Sequence, residues 1–200
     1  MQRHNFNTNK THIYIKNMVS NSCIKLVQQE LERSGFIEVI NVRLGEAEIC
    51  FDSQVINLTS IDLILKRNGF ELLDDSTKKL VEQIKTSVIQ LIFYGSNTNS
   101  ILRNSDYLSE KLGHPYLYLS KLFSEKTGTT LEKYIILIKT EKIKELITYD
   151  ELTLSEIAYM MGYSSVQYLS NQFKQVTGHT VSEYKNLRHK DRKPLSSLLS

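Results

Sequence analysis

Residues 118–134, YLSKLFSEKTGTTLEKY, return fifty positions later as YLSNQFKQVTGHTVSEY over 168–184, with eight of the seventeen positions identical. Such self-similarity marks a duplicated supersecondary unit, and it constrains the second half of the chain more than any other feature. Tyr118/Tyr168, Leu119/Leu169, Ser120/Ser170 and Phe123/Phe173 lie along a helix in each copy. Thr127-Gly128 and Thr177-Gly178 end it, because glycine accepts the positive φ of a helix C-terminus. A second short helix precedes each copy, LSEKLG over 108–113 and LSEIAYMMG over 154–162, so each unit reads as helix, tight turn, helix. Thr153 with Glu156, and Thr180 with Glu183, have capping-box spacing and mark helix starts. Between the units the spacing predicts a helix over 131–148, about 27 Å long at about 1.5 Å per residue. One turn of B-DNA is about 34 Å. A stiff connector of this length holds two recognition helices in successive major-groove segments, with some bending of the DNA.

The second half, over 77–188, resembles the AraC/XylS family of bacterial transcription regulators. Ile157-Ala158, Gly162-Tyr163, Phe173-Lys174, Gly178 and Tyr184 match that family's most characteristic stretch, and Leu119, Phe123, Gly128 and Tyr134 match in the first unit. Lys139 stands where the family has Arg, Ile143 where it has Ala, Leu169 where it has Phe and Val181 where it has Pro. The resemblance implies binding to double-stranded DNA, RNA polymerase as a further partner, and base-edge contacts from Leu117, Ser120 and Lys121 in the first unit and Gln167, Ser170 and Asn171 in the second. These side chains suit the reading of bases, since Gln and Asn pair with adenine, Lys with guanine, and Leu meets a thymine methyl. Tyr118 and Tyr168 read either as phosphate contacts or as half-buried packing.

The first segment alternates strand and helix patterns. Ile13 and Ile15 alternate with His12, Tyr14 and Lys16, a period of two. Cys23, Ile24, Val27 and Leu31 follow at helical spacing up to Gly35. Residues 36–44 read as a strand, and Ala47, Ile49 and Phe51 as the inward face of the next. Leu58, Ile61, Ile64 and Leu65 form a second helical stripe ending at Gly69, and 70–73 a last strand. The order βαββαβ, with matching helix exits RSGF and RNGF, predicts a ferredoxin-like domain over 8–75. Right-handed crossovers would place both helices on one face of the sheet.

This module resembles the heavy-metal-associated domain of metallochaperones and metal ATPases, through its element order and through Met18-Val-Ser-Asn-Ser-Cys23. That family has Met-x-Cys-x-x-Cys there. Cys23 matches the second thiol and Met18 the Met, while Ser20 replaces the first thiol, leaving Cys23 as the candidate ligand of a degenerate motif. A soft ion such as Cu(I), or zinc, is the cofactor this resemblance implies; otherwise none is expected. Serine is a poor ligand for Cu(I). Cys50 reads as a small buried or half-buried residue.

The chain is thus expected to be α+β: a ferredoxin-like domain, an all-helical DNA-binding domain over 77–188 that begins with a helix over 77–94 and a loop over 95–99, and a flexible tail over 189–200. Charge divides the same way. Residues 1–75 carry 8 Lys and Arg against 10 Asp and Glu, and residues 76–200 carry 17 against 12. The second part is the expected polyanion binder. No apolar run approaches the roughly 20 residues that span a bilayer, so no membrane contact and a cytoplasmic address are expected. Two cysteines are too few for a disulfide framework. Three functions stay open: a regulator whose N-terminal module senses or dimerises, as in a homodimer; a metal-binding or metal-transfer protein; and a DNA-repair enzyme with an attached regulator domain. For the last, no nucleophilic Cys with a base and no phosphate-cradling Gly-rich loop is found, so the chain is read as a non-enzyme.

Overall fold

The computed structural model describes residues 9–95, 104–187 and 191–198. They divide into two compact units, 1–86 and 87–200. The division falls inside a helix, beyond the acidic Asp74-Asp75 junction at which the sequence pattern starts the second domain. The expected loop over 95–99 lies, after Gly95, outside the described residues, as do the first residues of the tail.

The first unit runs β1 (Asn9–Lys16), α1 (Asn21–Arg33), β2 (Ile37–Arg43), β3 (Glu46–Phe51), α2 (Leu58–Lys66) and β4 (Glu71–Leu73). The strands form one sheet in the order β2-β3-β1-β4, every neighbouring pair antiparallel. Ile13 and Ile15 of β1 and Ala47 and Ile49 of β3 are buried, with Val27 and Leu31 of α1 and Ile61 and Leu65 of α2. Period two on the strands and a three-to-four spacing on the helices therefore meet in one core. Two residues depart from the expected stripes. Leu58 is exposed, because the side chain of Asn57 caps the helix and leaves Leu58 in its first turn, before the buried stripe begins. Phe51 is only half-buried, since it ends β3, while Cys50 on the opposite face is buried.

Helix α3 (Ser76–Ile89) contributes Glu82 to this unit: its carboxylate accepts the backbone N–H of Asn17 at 2.9 Å. Asn17 has a positive φ of 71°, and its side-chain amide donates to the Gly69 carbonyl. The predicted single helix over 77–94 instead changes to a π-helical turn at Gln90–Tyr94. That wider turn sets Phe93 beneath Lys142, whose Nζ stands 5.1 Å from the ring centre.

The second unit continues with α4 (Asn104–Leu112), α5 (Tyr116–Thr127), α6 (Leu131–Tyr149), α7 (Leu154–Met160), α8 (Val166–Thr177) and α9 (Val181–Lys185). Between 104 and 187 the described residues contain no strand. Residues 191–198, read from sequence as part of a loose tail, include a 3-10 turn at Leu195–Ser197. They bond to the helices: Arg192 pairs with Glu145 at 2.8 Å, the Lys193 N–H donates to Glu141, and the Tyr184 hydroxyl donates to the Asp191 carbonyl. No helix among the described residues is long and apolar enough to cross a membrane.

Candidate nucleic-acid interface

The repeated residues repeat in three dimensions because each closes the same local structure. Helices α5 and α8 both end at a glycine in the left-handed region, Gly128 at φ 69° and Gly178 at φ 81°. An added Cβ there would be strained by the backbone conformation itself. The preceding threonines donate to the carbonyl four residues back, Thr127 to Phe123 and Thr177 to Phe173, at 2.8 Å each. The next threonine caps the following helix: Thr130 accepts from Lys133 N–H and Thr180 from Glu183 N–H. The final tyrosine then reaches the phenylalanine, with ring centres 5.3 Å apart for Phe123/Tyr134 and 5.4 Å for Phe173/Tyr184. All four rings are buried.

One difference follows directly from sequence. Glu183 at the third helical position completes a capping box with Thr180, as Glu156 does with Thr153, whereas Lys133 cannot return the bond to Thr130. Bonds from the threonine hydroxyl and backbone N–H hold the Glu156 and Glu183 carboxyls below the usual carboxylate range.

Helices α5 and α8 each turn one stripe inward and the adjacent one outward. Leu119 and Phe123 of α5, and Leu169 and Phe173 of α8, are buried. The core of the second unit joins Leu169 and Phe173 to Ile143 and Ile147 of α6, Ile157, Ala158 and Met161 around α7, and Val181 and Tyr184 of α9. Ile143, Leu169 and Val181, three of the four departures from the family pattern, are thus apolar side chains inside that core.

The sequence-predicted contact residues lie on the outward stripe. Leu117 is 81% exposed, Lys121, Gln167 and Asn171 are exposed, and Ser120 and Ser170 are half-buried. Tyr118 and Tyr168 are 49% and 54% exposed. An apolar residue as open as Leu117 at the start of a helix has no packing role. Lys121 is 4.0 Å from Glu125, a surface pair of small energetic weight. Gln167 Nε2 donates to Asn171 Oδ1 at 2.9 Å, one helical turn apart. A group that sequence reasoning missed as a unit is Tyr163 with Gln172: the hydroxyl donates to Gln172 Oε1 at 2.6 Å. Only the tertiary fold brings these two together, although Gly162-Tyr163 was conspicuous as a family match.

Helix α6, 19 residues and about 28 Å long, joins the two helix-turn-helix units. It is buried on several sides, as expected of a helix serving two cores at once. Its buried Glu141 and Lys144 pair at 2.8 Å.

The model of a family described as "Helix-turn-helix domain" matches residues 108–187. The match covers under half of the chain. The xylose operon regulatory protein of Escherichia coli strain K12 is 32% identical over 101 residues, covering 50% of this chain and 26% of that protein. The Msm operon regulatory protein of Streptococcus mutans is 29% identical over 112 residues, covering 56% of this chain and 38% of that protein. Among solved structures, the C-terminal domain of AraT, a response regulator from Geobacillus stearothermophilus, is 23% identical, covers 60% of this chain and 97% of its own, and superposes with a TM-score of 0.45. The chain spans well under half the length of both curated relatives, and both carry the names of regulatory proteins rather than enzymes.

The residues singled out for metal lie in the other unit. Ser20 is the N-cap of α1, its side chain accepting from the Cys23 N–H, and its Oγ is 3.3 Å from Cys23 Sγ. Met18 is fully buried in the core. Among the described residues no three His, Cys, Asp or Glu side chains converge as a metal site would require. One thiol beside one hydroxyl does not suit a soft ion, so within a single chain the donor set does not fit the cofactor that the resemblance implies.

Proposed function

We propose that the chain is a sequence-specific DNA-binding transcription regulator of the AraC type, acting in the cytoplasm through two recognition helices, α5 and α8. The observation that carries this reading is the doubled arrangement itself: two helices with matching buried faces, each presenting hydrogen-bonding or apolar side chains outward, joined by a helix whose length approaches one DNA turn. Base contacts are assigned to Leu117, Ser120 and Lys121 on α5 and to Gln167, Ser170 and Asn171 on α8. Tyr118 and Tyr168, half out of the core, are assigned to phosphates. RNA polymerase is a further partner. The relatives' names, each an operon regulatory protein, support the same reading.

The N-terminal unit, with strand order β2-β3-β1-β4 and βαββαβ element order, supports assignment to the ferredoxin-like class and a role as the sensing or dimerising module. Domain limits of 8–75 and 77–188 belong to the same proposal. The test is selection of duplexes from a random pool by the full chain, followed by footprinting. Two protected segments about one helical turn apart are expected, with affinity falling steeply as salt rises because Lys contacts displace counterions. A pool with no enriched sequence, or binding indifferent to salt, overturns the reading.

A further inference from the structure

Lys139 of α6 is mostly buried, yet among the described residues no carboxylate answers it, while Lys142 and Lys144 on the same helix pair with Glu145 and Glu141. Its Nζ instead donates to the Met161 carbonyl at 2.7 Å, at the C-cap of α7. It also stands 5.3 Å from the centre of the Tyr163 ring. The C-terminal end of a helix carries partial negative charge, and an aromatic face attracts a cation, so both partners stabilise an ammonium that burial penalises. Burial holds the Lys139 amine below its ordinary pKa.

The contacts continue onward. Tyr163 donates its hydroxyl to Gln172 of α8, and its ring lies 5.9 Å from that of Tyr168 on the same helix. Burial raises the Tyr163 hydroxyl to about 12, so it remains a donor at neutral pH. Between these groups sits Gly162 at φ 71°; a Cβ there would lie 3.9 Å from Lys139 Nζ. The turn between α7 and α8 is therefore fixed from beneath by one side chain of α6. In the first unit, with Gly113 matching Gly162, Leu112, His114 and Leu122 stand in place of Met161, Tyr163 and Gln172. It keeps a ring contact, His114 to Tyr118 with centres 5.2 Å apart, but has no side-chain amide at Leu122 to take the place of Gln172.

We propose that Lys139 and Tyr163 are positioning residues that lock the second recognition helix to the linker helix, and so govern reading of the second half-site alone. This rests on the DNA-binding reading above, but the lock itself can be tested without DNA. The experiment compares the full-length wild type, Lys139→Met, Lys139→Arg and Tyr163→Phe on the selected duplex and on one whose second half-site is scrambled, alongside amide hydrogen exchange of the free proteins. Lys139→Met is expected to weaken binding to the intact duplex by roughly tenfold, as for loss of a hydrogen bond to a charged group. Binding to the scrambled duplex is expected to stay at the wild-type level. Lys139→Arg, which keeps a donor and a planar cation for the ring, restores the intact-duplex affinity. Exchange quickens in Lys139→Met over 162–177 and not over 104–127. Equal loss on both duplexes with faster exchange throughout 104–187 reduces Lys139 to a general stability role and overturns the proposal, as does wild-type behaviour of Lys139→Met in both assays. If the wild type binds no duplex, the DNA-binding reading fails by itself, and exchange decides the lock: acceleration confined to 162–177 sustains it, any other pattern overturns it.

Discussion

Gln167 donates its side-chain N–H to the Asn171 side-chain oxygen at 2.9 Å, one turn further along α8. The bond orients both amides before any partner arrives. Asn171 keeps its two N–H donors, and Gln167 keeps its oxygen and one N–H, a set that matches the N7 acceptor and N6 donor of adenine.

From this relationship the first prediction follows. Asn171→Ala is expected to cost about 1–3 kcal/mol against the preferred sequence and to relax preference at the position it reads, with a smaller loss at the base facing Gln167, whose orientation it also removes. Lys121→Ala should relax a different position, about one helical turn away. Repeating the duplex selection with each variant checks this. A uniform loss across all sequences would make these residues phosphate contacts.

The second prediction concerns the caps. Thr130→Ala and Thr180→Ala remove equivalent hydroxyls, each expected to cost about 1 kcal/mol. Only Thr180 belongs to a capping box. The Glu183 carboxyl is held below its ordinary pKa, so its contribution is complete above the ordinary carboxylate range and is lost as pH falls through the folded value. Urea unfolding at pH 7 and at pH 3 should therefore show the cost of Thr180→Ala shrinking with acidification and that of Thr130→Ala staying constant.

These two cases also show how far the sequence speaks. The helix starts and stops of the second unit were legible because each depends on side chains within four residues: Thr153 with Glu156, Thr127 with Gly128, Thr180 with Glu183. The outward stripe was legible once Leu119 and Leu169 were assigned inward, since helical geometry fixes their neighbours. Contacts that join distant segments were not legible. Nothing in the spacing of Lys139, Met161 and Tyr163 announces that they meet, because 22 positions separate the first two and packing alone brings them together. The π-helical turn at Gln90–Tyr94 escaped for a similar reason, as its apolar periodicity is that of an ordinary helix until Phe93 finds Lys142. In the first unit, period two identified β1 and β3 but not the bulge between Val39 and Asn41 in β2, which exposes Ile40.

The third prediction rests on Glu82. Burial raises its carboxyl above the ordinary value, even though the Asn17 N–H and the nearby Lys85 favour the charged form. A carboxyl with a raised folded pKa supports stability below its unfolded pKa, and that support is lost as pH rises through the folded value. Glu82→Gln keeps an oxygen for the Asn17 N–H without a charge to desolvate. The variant should be more stable than wild type at pH 7, with the difference closing toward pH 4, as measured by urea unfolding of the full chain. A less stable variant at pH 7 would mean that the carboxylate charge, through Lys85 and Lys16, outweighs its desolvation.

The last prediction turns on Ser20. Its Oγ accepts from the Cys23 N–H at 3.4 Å and lies 3.3 Å from Cys23 Sγ, so the turn already sets position 20 beside the thiol at the start of a 13-residue helix. With serine in place, one chain offers a single strong soft ligand, and Cu(I) binding by the monomer is expected to be weak and non-stoichiometric. Ser20→Cys supplies the second thiolate within reach of the first. The variant is expected to bind one Cu(I) per chain tightly, at the cost of part of the cap, since sulfur is a weaker acceptor than a hydroxyl oxygen. Competition against a calibrated Cu(I) chelator, with wild type and variant held monomeric by dilution, measures both. Equal and tight binding by the wild type would show that Cys23 recruits another donor and would restore metal as the effector of the N-terminal unit. Tight binding by the wild type only at concentrations where it dimerises would place two Cys23 thiolates across a twofold axis. Failure of both proteins to bind would mean that the turn does not hold residues 20 and 23 in the orientation a two-coordinate thiolate site requires.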